Sequence, residues 1–368
     1  MTDDPQPRPR AILATLRLTA AVVAVLVSLL AVIRVPLGVL WEPSVGVTEW
    51  GHLLWVAPAL LLIGRFERRR SRVAFGLAAT AAILMLTPLL RALPADSQIP
   101  LAVTQAFGEV APNSLPDAPA RTGPLIVGDL LGGDPERVVP SQHEYTPGLT
   151  LDLYRRPDLK ELLPVVVMIH GGSWQRGDAE QLPDVNHYLA RRGYAVVAIN
   201  YRKAPGHPFP AACDDVRAAI KWIRQNAPEH RMDSTRIVLH GRSAGAQLAL
   251  VTGYTDHDPS VRGIVSLYAP TDMNWSWKNP AHPLVHDSRG NLRAYLGGAP
   301  NEQPQKYAAA SPVQLAHAGA PPTLLLHGGR DELVNPIQSR RLSDRLAVLQ
   351  VNHLLIELKS LIASITVP

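Results

Sequence analysis

The sequence predicts an α/β fold, a mostly parallel sheet with helices on both faces, preceded by three transmembrane helices. Three observations predict it. Three nearly uncharged apolar runs crowd into residues 11–93. From residue 149 onward, short β-rich apolar runs recur, bounded by glycine and proline. Amphipathic stretches of helical length lie between most of them. Continuous apolar strands separated by helices mean a parallel sheet buried on both faces.

The 368 residues are 46% hydrophobic and 18% charged, an average that hides this split between an apolar first quarter and an ordinary globular remainder. The net charge of +5 comes largely from arginines flanking the apolar runs. No basic helix or aromatic-basic interleaving follows, so nucleic acid is not an expected partner. The single cysteine, Cys213, excludes an intrachain disulfide framework and a cysteine metal site.

The first apolar run, 18–33, has no charge and is flanked by Arg17 and Arg34. A bilayer crossing takes roughly 20 apolar residues, and arginine stems can reach the interface from either end. The second run, 50–64, has Trp50 and Trp55 suited to an interfacial belt but also contains His52 and Pro58. The third, 73–90, is again uncharged. Between the second and third lies "RFERRRSR", residues 65–72, with five arginines and one glutamate. The positive-inside rule puts that loop and the N-terminus in the cytoplasm. Three crossings then place the rest of the chain outside it. The alternatives are a cleaved signal peptide for the first run and a buried bundle for all three; no small-residue cleavage site follows Ile33, and lengths and flanks oppose the bundle. The domain reading is therefore a membrane segment over 1–93, a proline-rich linker with little helix over 94–142, and a globular domain over 143–368.

The predicted strands are 149–154, 165–170, 194–200, 236–241, 263–269, 322–328 and 353–358, and the helical stretches 179–192, 211–227, 243–255 and 336–350. Sites in such sheets lie beyond the carboxyl ends of the strands. Three such ends carry chemistry.

The strand "RIVLHG" runs at once into Ser243, in the pentapeptide Gly241-Arg242-Ser243-Ala244-Gly245, and then into a helix. A nucleophilic serine on a tight strand–turn–helix needs small flanking residues, which the two glycines supply. A helix-capping serine after a glycine turn is the bland alternative. The strand "VVVMIH" ends in "HGGSWQRGD". Acyl transfer builds negative charge on a carbonyl oxygen, and one preorganised N–H donor there is worth about 3–4 kcal/mol. Gly171 and Gly172 can bring such donors close, together with the amide of Ala244. The strand "TLLLHG" is followed by "GRDELV", whose Asp331 stands where the carboxylate of a serine hydrolase belongs. Asp272, after the preceding strand, is the second candidate acid.

These three elements in this order resemble the α/β-hydrolase superfamily, in particular its esterase/lipase branch, the group related to hormone-sensitive lipase and to bacterial carboxylesterases of the feruloyl/acetyl-esterase type. The stretches "NYRKAPGHPFPAACDDVRAAIKWIRQNA" and "AASPVQLAHAGAPPTLLLHGGRDELV" share the likeness, which covers residues 143–358. It implies an α/β-hydrolase fold and a serine carboxylic-ester hydrolase with no metal or cofactor, acting on a small-molecule ester. The chain departs from the pattern at Ala246 and Gln247, where relatives often carry glycine and histidine.

The resemblance also implies a base: a histidine on the loop after the last strand. No histidine follows His353. His353 begins its strand, and five residues at about 3.3 Å each leave it roughly 16 Å from the catalytic edge. His327, His240 and His170 end other strands and are expected to orient their loops. The sequence reading is therefore a membrane-anchored esterase whose fold is incomplete at its C-terminal end, with one sheet face uncovered and activity impaired. The alternative is a non-catalytic hydrolase-like membrane protein that binds a ligand or partner. The segment 270–321, with Trp275 and Trp277, is expected to form a lid or pocket wall.

Overall fold

The computed structural model describes residues 9–33, 38–63, 69–109 and 137–358. Most of the expected linker, residues 110–136, and the tail, residues 359–368, lie outside the described residues.

The apolar first quarter folds as helices α1 (Pro9–Leu29), α2 (Gly38–Leu54), α3 (Val56–Leu60) and α4 (Arg69–Phe107). Among the described residues two stretches, not the expected three, have the length and composition to cross a membrane, Ala11–Leu29 and Arg69–Arg91. The middle run fails because it is not one helix. Pro58 cannot donate to the carbonyl of Leu54, and its ring opposes a continuous helix there. The chain breaks at Trp55 and leaves α3 only five residues long. Arg17 turns its guanidinium to the carbonyls of Leu61 and Ile63, acceptors just past α3. α1 packs along α4 through Ala21, Ala74 and Ala78, all fully buried, as small residues allow close helix approach. Placing the globular domain outside the cytoplasm rests on an odd number of crossings. With two candidate stretches rather than three, that placement has no support.

The expected linker also begins as helix: α4 runs on through Pro94 and Pro100 to Phe107. α4 packs against the last strand, a tertiary contact that composition does not reveal.

The globular domain holds eight strands: β1 (Ser141–Thr146), β2 (Leu149–Tyr154), β3 (Leu163–Ile169), β4 (Ala195–Ile199), β5 (Met232–Arg242), β6 (Val261–Leu267), β7 (Thr323–Gly328) and β8 (His353–Leu358). They form one sheet in the order β1-β2-β4-β3-β5-β6-β7-β8. β2 is antiparallel to both neighbours, and every pairing from β4 to β8 is parallel. The sheet is thus the mostly parallel one expected. β1 is the addition: "SQHEYT" is an edge strand with little buried surface, so it lacks the apolar signature of the others.

The helices that cover the sheet are α5 (Pro183–Arg191), α6 (Ala211–His230), α7 (Ala244–Thr255) and α12 (Ile337–Val348), joined by the short α8 (Met273–Lys278), α9 (Ser288–Leu296), α10 (Pro304–Ala309) and α11 (Pro312–Leu315) over the carboxyl edge. α7 is the central one: every residue from Ala244 to Tyr254 is buried. A helix apolar on all sides belongs inside, and this one packs on β5 and β6. The last strand is not left bare as expected. α12 and α4 both lie against β8, and all six of its residues are partly covered.

Candidate active site

Ser243 sits where β5 ends and α7 begins, with φ 50° and ψ −118°. A non-glycine residue in that region is strained, and such strain persists only where the surroundings over-determine it. Here they do. The Ser243 amide donates to the carbonyl of Leu267 at the end of β6 (2.9 Å), and the Ser243 carbonyl accepts from Gln247 (3.1 Å). A Cβ on Gly241 would overlap the backbone of Gly245 and Ala246, and one on Gly245 would overlap the carbonyls of Ile169 and His170. Both glycines of the pentapeptide are therefore places where two main chains touch.

The loop after β3 lies against this turn. A Cβ on Gly171 would stand 3.5 Å from Ser243 Cβ. Gly172, Ser173 and Trp174 all have positive φ, at 117°, 53° and 61°. The amide of Gly171 is already committed: it donates to Gln181 Oε1 at 2.9 Å. By contrast, no residue among those described accepts from the amides of Gly172, Ser173 or Ala244. Ser173 and Ala244 line one cavity with Ser243. The free donors lining the nucleophile's cavity are thus Ser173 and Ala244, and the Gly172 amide, one residue before Ser173, is free as well. Ser173 was not singled out by the sequence, because only glycine advertises close backbone approach.

The His170 side chain braces the loop from behind. Its Nδ1–H donates to the Gly171 carbonyl (2.6 Å) and its Nε2 accepts from Lys203 Nζ (2.6 Å). Its ring stacks on Tyr201 at 4.2 Å, and Tyr201 Oη donates to its carbonyl. Burial and the Lys203 charge push the His170 pKa down to about 3, and burial brings Lys203 down to about 7. His170 is a neutral strut, and so is His240, whose pKa burial lowers to about 4.

Asp331 is buried on the loop after β7 and lines the same cavity. Its Oδ1 accepts from the amides of Leu333 and Val334 (2.8 and 2.9 Å), which fixes the carboxylate. Its Oδ2 lies 3.3 Å from His327 Nε2. That imidazole is spoken for: Nε2 donates to the Val334 carbonyl (2.8 Å), and Nδ1 accepts from Ser339 Oγ (2.7 Å). Asp272 is a helix cap, accepting from Trp275 N (2.9 Å) and paired with Arg341 (2.7 Å). His353 pairs in register with Thr323 at the start of β7, the edge opposite the site.

The cavity holds about 330 Å³, room for a small ester. Ser243, Ala244, Ser173 and Asp331 form its floor, and His282 and His286, from the segment between α8 and α9, stand on its wall. Neither histidine was weighed from the sequence. "NPAHPLVHDSRGN" is the only place in the expected lid where two histidines fall four apart, and that was the available signal. The departure at Gln247 has a structural role: fully buried, it accepts from Trp174 Nε1 (2.9 Å) and Tyr295 Oη (3.1 Å) and donates to the Ala310 carbonyl (2.8 Å). Among the described residues, no group of acidic, histidine or cysteine side chains could hold a metal ion.

Comparison with known proteins bears on the family of the chain. The BD-FAE family model matches residues 151–346. Esterase LipC of Mycobacterium tuberculosis is 32% identical over 226 residues, covering 56% of this chain and 55% of its own length. The probable carboxylic ester hydrolase LipM of the same organism is 32% identical over 220 residues, covering 56% and 50%. The chain thus spans about half the length of these curated relatives. Among solved structures, Thermogutta terrifontis esterase 2 phosphonylated by sarin superposes with a TM-score of 0.51 at 26% identity, over 61% of this chain and 84% of that one. A truncated carbohydrate esterase from gut microbiota, at 23% identity, shares the fold with a TM-score of 0.52, over 61% and 89%. The family match covers more than half of the chain, which therefore belongs to the BD-FAE family of α/β-hydrolase esterases.

Proposed function

We propose that the protein is a serine carboxylic-ester hydrolase in which Ser243 is the nucleophile. The observation that carries this is the strained Ser243 lining a small-molecule cavity together with Ser173 and Ala244, whose amides have no acceptor among the described residues. Ser243 Oγ attacks the ester carbonyl carbon. The oxygen that becomes negative is held by N–H groups from Gly172, Ser173 and Ala244, which need no rearrangement to receive it. Gly171 supports the loop rather than donating. Asp331 supplies a fixed, buried negative charge that favours a protonated imidazole on the cavity wall. No step calls for a metal or an organic cofactor.

The apolar helices α1 and α4 support anchoring in a lipid bilayer. Arg330, next to Asp331, donates to the carbonyl of Val32 at the end of α1, so the anchor abuts the acid's loop. An anchored chain stays with the membrane pellet after carbonate washing, whereas a chain carrying a cleaved leader is released.

One observation favours a non-catalytic binding protein: the histidine nearest Asp331, His327, has both nitrogens engaged. Hydrolysis of p-nitrophenyl acetate by the detergent-purified full chain separates the readings. The proposed function requires turnover that Ser243→Ala abolishes. Turnover no faster than that of the variant supports binding alone.

A further inference from the structure

One peptide plane in the loop after β3 lacks the usual restraints. Gly171 and Gly172 flank it, so neither side has a Cβ to limit its rotation. Its N–H belongs to Gly172 and has no acceptor among the described residues. Its C=O belongs to Gly171 and accepts from His170 Nδ1–H at 2.6 Å. The peptide is trans, so the two groups point opposite ways. Holding the carbonyl toward His170 therefore aims the Gly172 N–H away from it. A bond to the oxygen also polarises the amide and makes that N–H a better donor.

The hold is as good as the imidazole that makes it. A carbonyl only accepts, so Nδ1 carries the hydrogen of the neutral ring, and Nε2 is left with a lone pair in a buried site. Lys203 answers it: its Nζ lies 2.6 Å from Nε2 and 3.5 Å from the centroid of the Tyr201 ring. An amine has hydrogens to donate whether or not it is charged, so this bond does not depend on its titration. Tyr201 stacks on the His170 ring, and the amide of Ala204 donates to the Trp174 carbonyl at 2.9 Å. The segment after β4 thus grips the loop at both His170 and Trp174. Gly177 closes the other side: a Cβ there would stand 2.5 Å from His170 Nδ1 and 2.6 Å from the Gly171 oxygen.

We propose that Lys203 is a positioning residue for the oxyanion site, acting through His170 on the Gly171–Gly172 peptide; this rests on reading Ser243 as the nucleophile and the Gly172 amide as one of its oxyanion donors. Lys203 is not among the residues that line the cavity, so it acts only through His170. Without its donor, Nε2 is buried and unpaired, and the ring gains by tipping toward water or by moving its hydrogen to Nε2. Either change takes the hydrogen off the Gly171 carbonyl and frees the plane. The ground-state ester makes little use of the Gly172 N–H. The tetrahedral intermediate, with a full negative charge on its oxygen, uses it most. Loss of Lys203 therefore acts on kcat and leaves KM nearly unchanged.

The test uses the detergent-purified full chain and p-nitrophenyl acetate, with melting curves to confirm folding. Lys203→Met should lower the Ser243-dependent kcat by about 10-fold or more, bounded by the roughly 10²–10³-fold that a whole oxyanion donor is worth, and move KM by less than about 2-fold. Affinity for a phenyl trifluoromethyl ketone, whose adduct with Ser243 carries the negative oxygen, should fall by the same factor as kcat/KM. Lys203→Cys separates the amine from the fold. Alkylation with 2-bromoethylamine rebuilds a lysine-like amine, and 1-iodopropane builds a chain of the same length without it. Cys213, the natural cysteine, is buried. The aminoethyl form should regain kcat and inhibitor affinity, and the propyl form should not. Equal rates and affinities for the two forms overturn the assignment to Lys203, as does a folded Lys203→Met with the wild-type kcat. A wild-type chain whose rate Ser243→Ala does not reduce overturns both this assignment and the proposed function.

Discussion

Trp174 Nε1 donates to Gln247 Oε1 at 2.9 Å, and this bond ties the loop that presents the Gly172 and Ser173 amides to the helix behind Ser243. The same oxygen accepts from Tyr295 Oη, and the Trp174 and Tyr295 rings stack at 4.1 Å. Gln247→Ala strands an indole N–H, a phenol and the Ala310 carbonyl in the core. A buried polar group left unpaired costs about 1–3 kcal/mol. Urea denaturation should show a loss of about 3 kcal/mol or more, with a slower Ser243-dependent rate. An unchanged midpoint would mean that water replaces the amide.

Gly245→Ala should be worse than an ordinary helix substitution, in which alanine is usually the better residue. The added methyl meets the carbonyls of Ile169 and His170, which belong to the central strand β3 and its end and cannot move without shifting the sheet. A cost of about 3 kcal/mol is expected, the upper range for an overpacked core. Gly76→Ala, where a Cβ meets nothing within 4 Å, is the control and should not lower Tm.

Asp331→Asn separates charge from shape. The amide oxygen can still accept from Leu333 and Val334, so the loop should hold and Tm should change little. The charge that favours a protonated base is gone, and the rate should fall by between about 10² and 10⁴-fold. Equal losses of rate and stability would instead make Asp331 a purely structural residue.

Acid should weaken the fold through its buried bases. His170 and His240 have folded pKa values of about 3 and about 4, against 6.5 when unfolded. Below 6.5 the unfolded chain binds protons that the folded chain refuses, so stability drops as pH falls toward those lower values. Lys203, at about 7 folded and 10.5 unfolded, acts in the same sense at higher pH: stability rises from 7 to 10.5. Chemical denaturation across pH should show both slopes, and Lys203→Met should abolish the alkaline one and lessen the acid one, because the Lys203 charge helps hold the His170 pKa down.

The elbow, the glycine loop and the acid's loop were legible because each is a local pattern: a strand end, small residues, then a polar group. The strands were legible for the same reason, except for β1, whose "SQHEYT" buries too little to need apolar residues. Hydropathy misread the middle membrane run because it averages composition and does not see that Pro58 breaks the helix at Trp55. Close approach pointed to Gly171, yet which amide stays free depends on Gln181, ten residues on and brought back by the fold.

The central claim is that Ser243 is an activated nucleophile, and covalent labelling tests it most directly. The full chain is incubated with a fluorophosphonate probe and the modified residue is read by peptide mass spectrometry. The account predicts labelling of Ser243 that is abolished in Ser243→Ala. A folded wild-type chain that stays unlabelled, or carries the probe on another serine, would contradict it.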